Sequence, residues 1–195
     1  MLKVKKAVRE EIFGDDREFD SPHAPTVLPL KNGDVLAAWF GGRFEKDPDT
    51  AVWTAKRVGG VWQKPRKTVD IMNVAAWNPV LFRLNNDRIV LYFKLGSEIP
   101  KWYTEYVYSD DEGETWSSPK ELVKGDIGGR GPVKNKPVYL SDNKTILAPA
   151  SLEGDSWNSF ADISEDNGET WEMSELVPIR RINPNERRIR DRVYN

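Results

Sequence analysis

The chain has no cysteine and one histidine in its 195 residues. The first absence rules out a disulfide framework and any thiolate metal site, and it leaves the redox compartment undetermined. With His23 as the sole imidazole, a metal site lacks its usual ligands. No metal or organic cofactor is expected. No apolar run approaches the ~20 residues that span a bilayer, so no membrane partner is expected. Lys+Arg number 29 and Asp+Glu 31, and a net charge of −2 gives no case for a nucleic-acid partner. Residues Met1 to Glu10 are Lys-rich and lack the apolar core of a signal peptide. The expected location is cytoplasmic, or secreted if a leader precedes this chain. Helical periodicity is absent throughout.

What is present suits an all-β domain. The chain is 38% apolar, 31% charged and 11% aromatic, with eight tryptophans, a composition equally suited to binding sugars. An eight-residue stretch occurs twice, as Ser109-Asp110-Asp111-Glu112-Gly113-Glu114-Thr115-Trp116 and Ser164-Glu165-Asp166-Asn167-Gly168-Glu169-Thr170-Trp171, 55 residues apart. Asp and Asn accept bonds from nearby backbone N–H groups, and Gly supplies positive φ, so each copy reads as a turn. Thr-Trp then opens a strand. A period near 50 points to a radially repeated β fold.

Three repeats align on this frame. Their inner strands read Ala24 to Leu28, Asn78 to Phe82 and Lys136 to Leu140, with Pro25, Pro79 and Pro137 spaced by 54 and 58. Proline at a strand's first position loses no ladder bond. Second strands are expected at Val35 to Phe40, Ile89 to Phe93 and Thr145 to Pro149. Third strands are expected at Ala51 to Lys56, Trp102 to Tyr108 and Trp157 to Ile163. Trp62 lies 54 residues before Trp116 and marks a degenerate first copy of the turn. The domain boundaries that follow are an N-terminal segment over 1–20, three blades over about 21–70, 71–125 and 126–178, and an Arg-rich tail or start of a further blade over 179–195. That tail holds Arg180, Arg181, Arg187, Arg188, Arg190 and Arg192.

The twin turn resembles the Asp-box of the sialidase and BNR-repeat superfamily, and the chain is similar to its predicted-neuraminidase subgroup. The resemblance implies a β-propeller, all-β, with three four-stranded antiparallel blades, half of a six-bladed ring. It covers about residues 20–178. It places the boxes on the outer edges, where their acids are structural. It implies exo-glycoside hydrolysis of an acidic or deoxy sugar at the central funnel, and therefore a carbohydrate partner. The family takes its Tyr nucleophile, that residue's Glu partner and further arginines from later blades, so no nucleophile is assigned here.

The funnel is expected at the starts of inner strands and the loops after second strands. The loop Phe40-Gly41-Gly42-Arg43-Phe44-Glu45-Lys46-Asp47-Pro48-Asp49 brings Glu45, Asp47 and Asp49 beside Arg43. Glycosidic cleavage commonly needs a carboxylic acid to protonate the leaving oxygen. By the resemblance Asp47 matches the sialidase acid/base and Asp49 the predicted-neuraminidase one. Both stay open, against the alternative of an ordinary polar loop. His23 stands where sialidases carry an arginine that grips the sialic acid carboxylate. Imidazole does not replace a bidentate guanidinium, so His23 is expected to meet a sugar hydroxyl or to serve as acid/base, and sialic acid is disfavoured. Asn78, Lys134, Asn135 and Lys136 begin the next inner strands as substrate-binding candidates, with Lys94 and Arg130 adding positive charge. Trp157, with Glu153 and Asp155, reads as outer-sheet packing, or as a sugar platform. A rival expectation is a non-catalytic carbohydrate-binding module or a truncated inactive product. In the binding form, open sheet edges let two copies close a six-bladed ring as a homodimer.

Overall fold

A computed structural model describes residues 7–154 and 156–178. The Arg-rich tail and Asp155 lie outside the described residues. Blade 1 comprises β1 (Ser21–Pro29), β2 (Val35–Gly42), β3 (Ala51–Val58), β4 (Val61–Trp62) and β5 (Arg66–Val69). Blade 2 comprises β6 (Ala76–Arg83), β7 (Ile89–Leu95), β8 (Tyr103–Ser109) and β9 (Lys120–Glu121). Blade 3 comprises β10 (Val138–Tyr139), β11 (Ile146–Glu153), β12 (Trp157–Ser164) and β13 (Glu172–Met173). Each sheet is an antiparallel meander in chain order. In blade 1 the outermost strand is split, so β4 and β5 both pair with β3.

The core lies between blades. Along β7 the side chains alternate faces, as a pleated strand requires. Ile89, Leu91, Phe93 and Leu95 join Leu36, Ala38 and Val52 of blade 1. Val90 and Tyr92 join Ile146 and Ala148 of blade 3. Every residue of β7 is therefore buried, which explains why it is apolar at every position but Lys94. Blade 1 has no blade before it among the described residues. Its other face, Ala37, Trp39, Ala51, Trp53 and Ala55, packs with Ile12, Phe13, Phe19 and Trp62. The N-terminal segment thus covers blade 1. Among the described residues blade 3 has one covered face; Leu147, Pro149, Ala161 and Ile163 on the other are half-buried.

The two boxes form the same turn. Ser109 Oγ accepts from Gly113 N at 2.8 Å, and Asp111 accepts from Thr115 N at 2.9 Å and Thr115 Oγ1 at 2.6 Å. The second copy repeats these bonds through Ser164, Gly168, Asp166 and Thr170. Gly113 has φ 83° and Gly168 φ 90°, where a side chain is strained. Each box docks on the preceding blade. A Cβ on Gly113 would lie 3.0 Å from Leu36 of blade 1. Glu114 reaches Lys56 of blade 1 at 2.5 Å, and Glu112 accepts from Lys31 N at 3.3 Å while pairing with Arg83 at 2.6 Å. Trp171 meets Tyr92 of blade 2 edge to face, with centroids 6.2 Å apart.

Two expectations are corrected here. Pro25 and Pro79 do not open their strands. Each sits inside a bulge, between His23 and Thr26 and between Trp77 and Val80. A bulge leaves its extra residue unpaired, so the missing N–H costs nothing there. Trp157 is corrected as well: it is 69% exposed, across from Glu153, and does not pack on the sheet.

Asp111 is held at about 2, chiefly by the Thr115 hydroxyl and N–H, and Asp142 likewise at about 2 by Thr145. Both are lowered from an ordinary 3.8, so the stability they add is present above about pH 4 and is lost as pH falls towards 2. Asp111→Ala is expected to cost about 1–2 kcal/mol in urea unfolding at neutral pH, and to shrink the acid-dependent loss. Equal stability of variant and parent would show that the box bonds contribute nothing net.

Candidate functional site

The end of blade 1 where β2 leaves the sheet gathers the first set of candidates. Gly41 and Gly42 let the chain turn out of the sheet. A Cβ on Gly42 would lie 2.5 Å from Asp49 Oδ1 and 2.9 Å from Thr50 Cα, so no larger residue fits with the loop closed. Arg43 then ties the loop together. Its Nη2 meets Asp47 Oδ2 at 3.0 Å, its Nε meets Asp49 Oδ2 at 3.2 Å, and its N–H donates to Asp49 Oδ1 at 3.2 Å. Asp49 N donates to Asp47 Oδ1 at 3.1 Å, and Thr50 N to Asp47 O at 2.9 Å.

These bonds separate the two aspartates. The Asp47 side chain is 3% exposed, and that of Asp49 is 42% exposed. The backbone N–H of Asp49, followed by Arg43, holds the Asp47 carboxyl below the ordinary carboxylate range. A low, buried and fully bonded carboxylate is a poor proton donor near neutral pH. Asp49 faces an open hollow of about 540 Å³ lined with Arg43, Asp47, Pro48, Asp70, Met72 and Asn73. Glu45 is exposed on the same loop.

His23 lies beside this loop, because Ser21 pairs with Gly42 and His23 with Phe40. Its ring is exposed. Nε2 is 2.9 Å from Ser21 Oγ, and the ring stacks on Phe40 at 5.4 Å and 26°. Phe40 continues into Trp77 at 5.8 Å and Trp77 into Trp102 at 6.1 Å, so an apolar tier of rings runs from blade 1 into blade 2. Sequence reasoning missed Ser21 and this tier. Ser21 was within reach of it, since residues two apart share one face of a strand.

The other candidates divide. Asn78 occupies the blade 2 bulge, half-buried, with φ 43°. Lys134, with φ 63°, and Asn135 are exposed at the entry to blade 3. Lys136 places Nζ on Leu81 O at 2.8 Å, joining blades 2 and 3, and burial pulls its ammonium below the ordinary lysine value. Lys94 is a correction. It is fully buried, with Nζ on Arg130 O at 2.6 Å and over the Trp102 ring at 5.7 Å. It holds blades 2 and 3 together and reaches no solvent. Arg130 is likewise structural, with Nε on the buried Asp162 at 2.6 Å and Nη2 on Trp171 O at 2.9 Å. The sequence hid this because Lys94 lies near the end of a strand that is apolar elsewhere, and its hydrogen-bond partner, Arg130 O, is 36 residues away.

Burial pulls the Lys94 ammonium down to about 7, against the opposing pull of Asp126, Asp162 and Glu153. Between about pH 7 and 10.5 the unfolded chain keeps a proton that the folded chain gives up, so stability rises with pH there. In Lys94→Met, Arg130 O keeps the Thr104 hydroxyl at 2.6 Å, and the variant is expected to fold. Its stability should rise less between those limits than the parent's, measured by urea unfolding at several pH values. An unchanged slope would mean that Lys94 is not the titrating group.

Residues 33–194 match the BNR repeat-like domain. A sialidase of Clostridium perfringens is 35% identical over 94 residues, covering 40% of this chain and 24% of that protein. One of Paraclostridium sordellii is 34% identical over 95 residues, covering 40% and 22%. The chain thus spans about a quarter of the length of these relatives. Among solved structures, the Hadza microbial sialidase Hz136 superposes with a TM-score of 0.68 at 14% identity, over 83% of this chain and 38% of that one. The NanB sialidase from Streptococcus pneumoniae gives 0.67 at 11% identity, over 88% and 47%. At such identities the likeness establishes the fold, a sialidase-type β-propeller architecture.

Proposed function

The chain belongs to the BNR repeat-like family, and from its blade 1 site we propose a sialidase-like exo-glycoside hydrolase, or the N-terminal half of one, acting on an acidic or deoxy sugar. The observation that carries the reading is the division of labour in the 43–49 loop. Asp47 is buried and bonded, and it braces Asp49; Asp49 stays accessible at the hollow's edge. We assign Asp49 as the general acid/base and Asp47 with Arg43 as its positioning pair. A carboxylate that protonates the leaving oxygen needs access to the ligand and a fixed direction, and this loop supplies both. His23, Asn78, Lys134 and Asn135 bind the sugar from the neighbouring inner strands. Similarity to sialidases over part of the chain supports the reaction class. The second acting group of the reaction is assigned to no residue of these three blades.

The second reading is a non-catalytic module that binds carbohydrate or pairs with a second copy. The half-buried row Leu147, Pro149, Ala161 and Ile163 on blade 3 favours it. In a two-copy ring that face would pack on the blade 1 face that Ile12, Phe13 and Phe19 now cover, so the ring requires this cap to move. Light scattering at twice the chain's mass would favour the ring.

Hydrolysis is tested with fluorogenic glycosides on a propeller assembly containing these blades. Asp49→Asn is expected to lower turnover by roughly 10²–10⁴-fold. Asp47→Asn is expected to lower it too, with Gly42→Ala acting the same way by pushing Asp49 off its position. Full activity in both aspartate variants would remove the loop from the mechanism.

A further inference from the structure

We propose that His23 is the specificity-determining residue of this site, and that it selects a neutral deoxy glycoside over a carboxylated one. The inference rests on the sugar-site reading above and decides between the two sugar classes which that reading leaves open.

The backbone around His23 is strained to hold the ring. Ala24 has φ 47°, and it precedes Pro25 in the β1 bulge. Left-handed backbone brings an alanine's Cβ too close to the following carbonyl oxygen. A following proline disfavours compact backbone further. The same bulge recurs in blade 2, where Asn78 has φ 43°. There the residue before it is Trp77, buried and donating Nε1 to Gly96 O at 2.8 Å. One backbone device therefore anchors an indole in blade 2 and presents an exposed imidazole in blade 1. Strained bulges recur where a side chain must be aimed.

The ring itself is fixed at two points, Ser21 Oγ on Nε2 and the Phe40 face. Among the described residues nothing bonds Nδ1. A neutral imidazole has one donor and one acceptor nitrogen, and the Ser21 hydroxyl takes either role. Nδ1 is thus donor in one tautomer and acceptor in the other. A sugar hydroxyl satisfies both, whereas a carboxylate only accepts. His23 also offers one point, where a carboxylate is best held by a two-pronged fork.

The surrounding charge points the same way. The 43–49 loop carries Glu45, Asp47 and Asp49, and at its start the Asp20 N–H donates to Gly42 O at 3.1 Å. The same loop carries Lys46 and Arg43, and the Arg43 guanidinium is already held between Asp47 and Asp49. At this loop a ligand carboxylate would meet like charge, offset by Lys134 at the entry to blade 3. Half-buried Ala24, Ile99 and Val133 pack on the ring tier, so the surface beside His23 includes apolar side chains that a deoxy sugar's methyl group can meet.

The test is ligand-observed NMR titration of the chain with methyl α-D-fucopyranoside and methyl α-D-galacturonopyranoside, which share a ring and differ as methyl against carboxylate. The parent is expected to bind the fucoside roughly tenfold tighter. His23→Ala should weaken fucoside binding by several-fold, and Ser21→Ala should narrow the preference while keeping the imidazole. His23→Arg should reverse it. His23 is exposed, and thermal unfolding confirms that each variant is folded. Equal or tighter binding of the uronoside by the parent overturns the inference. So does fucoside binding unchanged in His23→Ala, although the sugar site then stands. Binding of neither glycoside overturns the sugar-site reading and this inference with it.

Discussion

A strand that is apolar on both faces must be sandwiched, and this constraint governs the whole molecule. β7 meets it between blades 1 and 3. β2 meets it between blade 2 and the N-terminal segment. The boxes serve the same end. Their internal bonds fix a turn, and that turn places Gly113 and Trp171 against the preceding blade. A hydrogen-bonded turn is thereby converted into burial of apolar surface between sheets, the larger source of stability.

The polar groups follow from where each lies in this stack. Lys94 and Asp162 fall in the seam between blades 2 and 3, where desolvation drives the amine down and the carboxyl up. Arg130 and its backbone carbonyl satisfy both. Asp49 falls beyond the last paired residue of β2, where the sheet ends and water enters. Two aspartates separated by one proline thus differ in chemistry because one faces the loop's interior and the other its rim.

Much of the fold was legible because turn chemistry is local. The Ser-x-Asp-x-Gly-x-Thr-Trp spacing contains every donor and acceptor of its own turn, so two copies sufficed to set the repeat. The blade 1 loop was legible for the same reason, since Arg43, Asp47 and Asp49 bond to one another within six residues. Longer-range placements were not. Pro25 and Pro79 marked the right region, but a bulge depends on the register with β2 and β7. Lys94 read as a site lysine because its burial comes from blade 3. Trp157 read as packing because most of the other tryptophans are buried or half-buried, and nothing local distinguishes it. The cover over blade 1 escaped notice because Phe13 and Phe19 are lone aromatics in a charged segment.

That cover gives the stack a polarity. With Phe13 over Trp39 and Phe19 over Trp53, that face of the first blade is sealed by its own chain and not by another sheet. Among the described residues, blade 1 then has one face left to bury, and blade 2 buries it. Blade 1 is thus bounded on one side by a short irregular segment and on the other by a full sheet, and the two faces of one blade are closed by different kinds of structure.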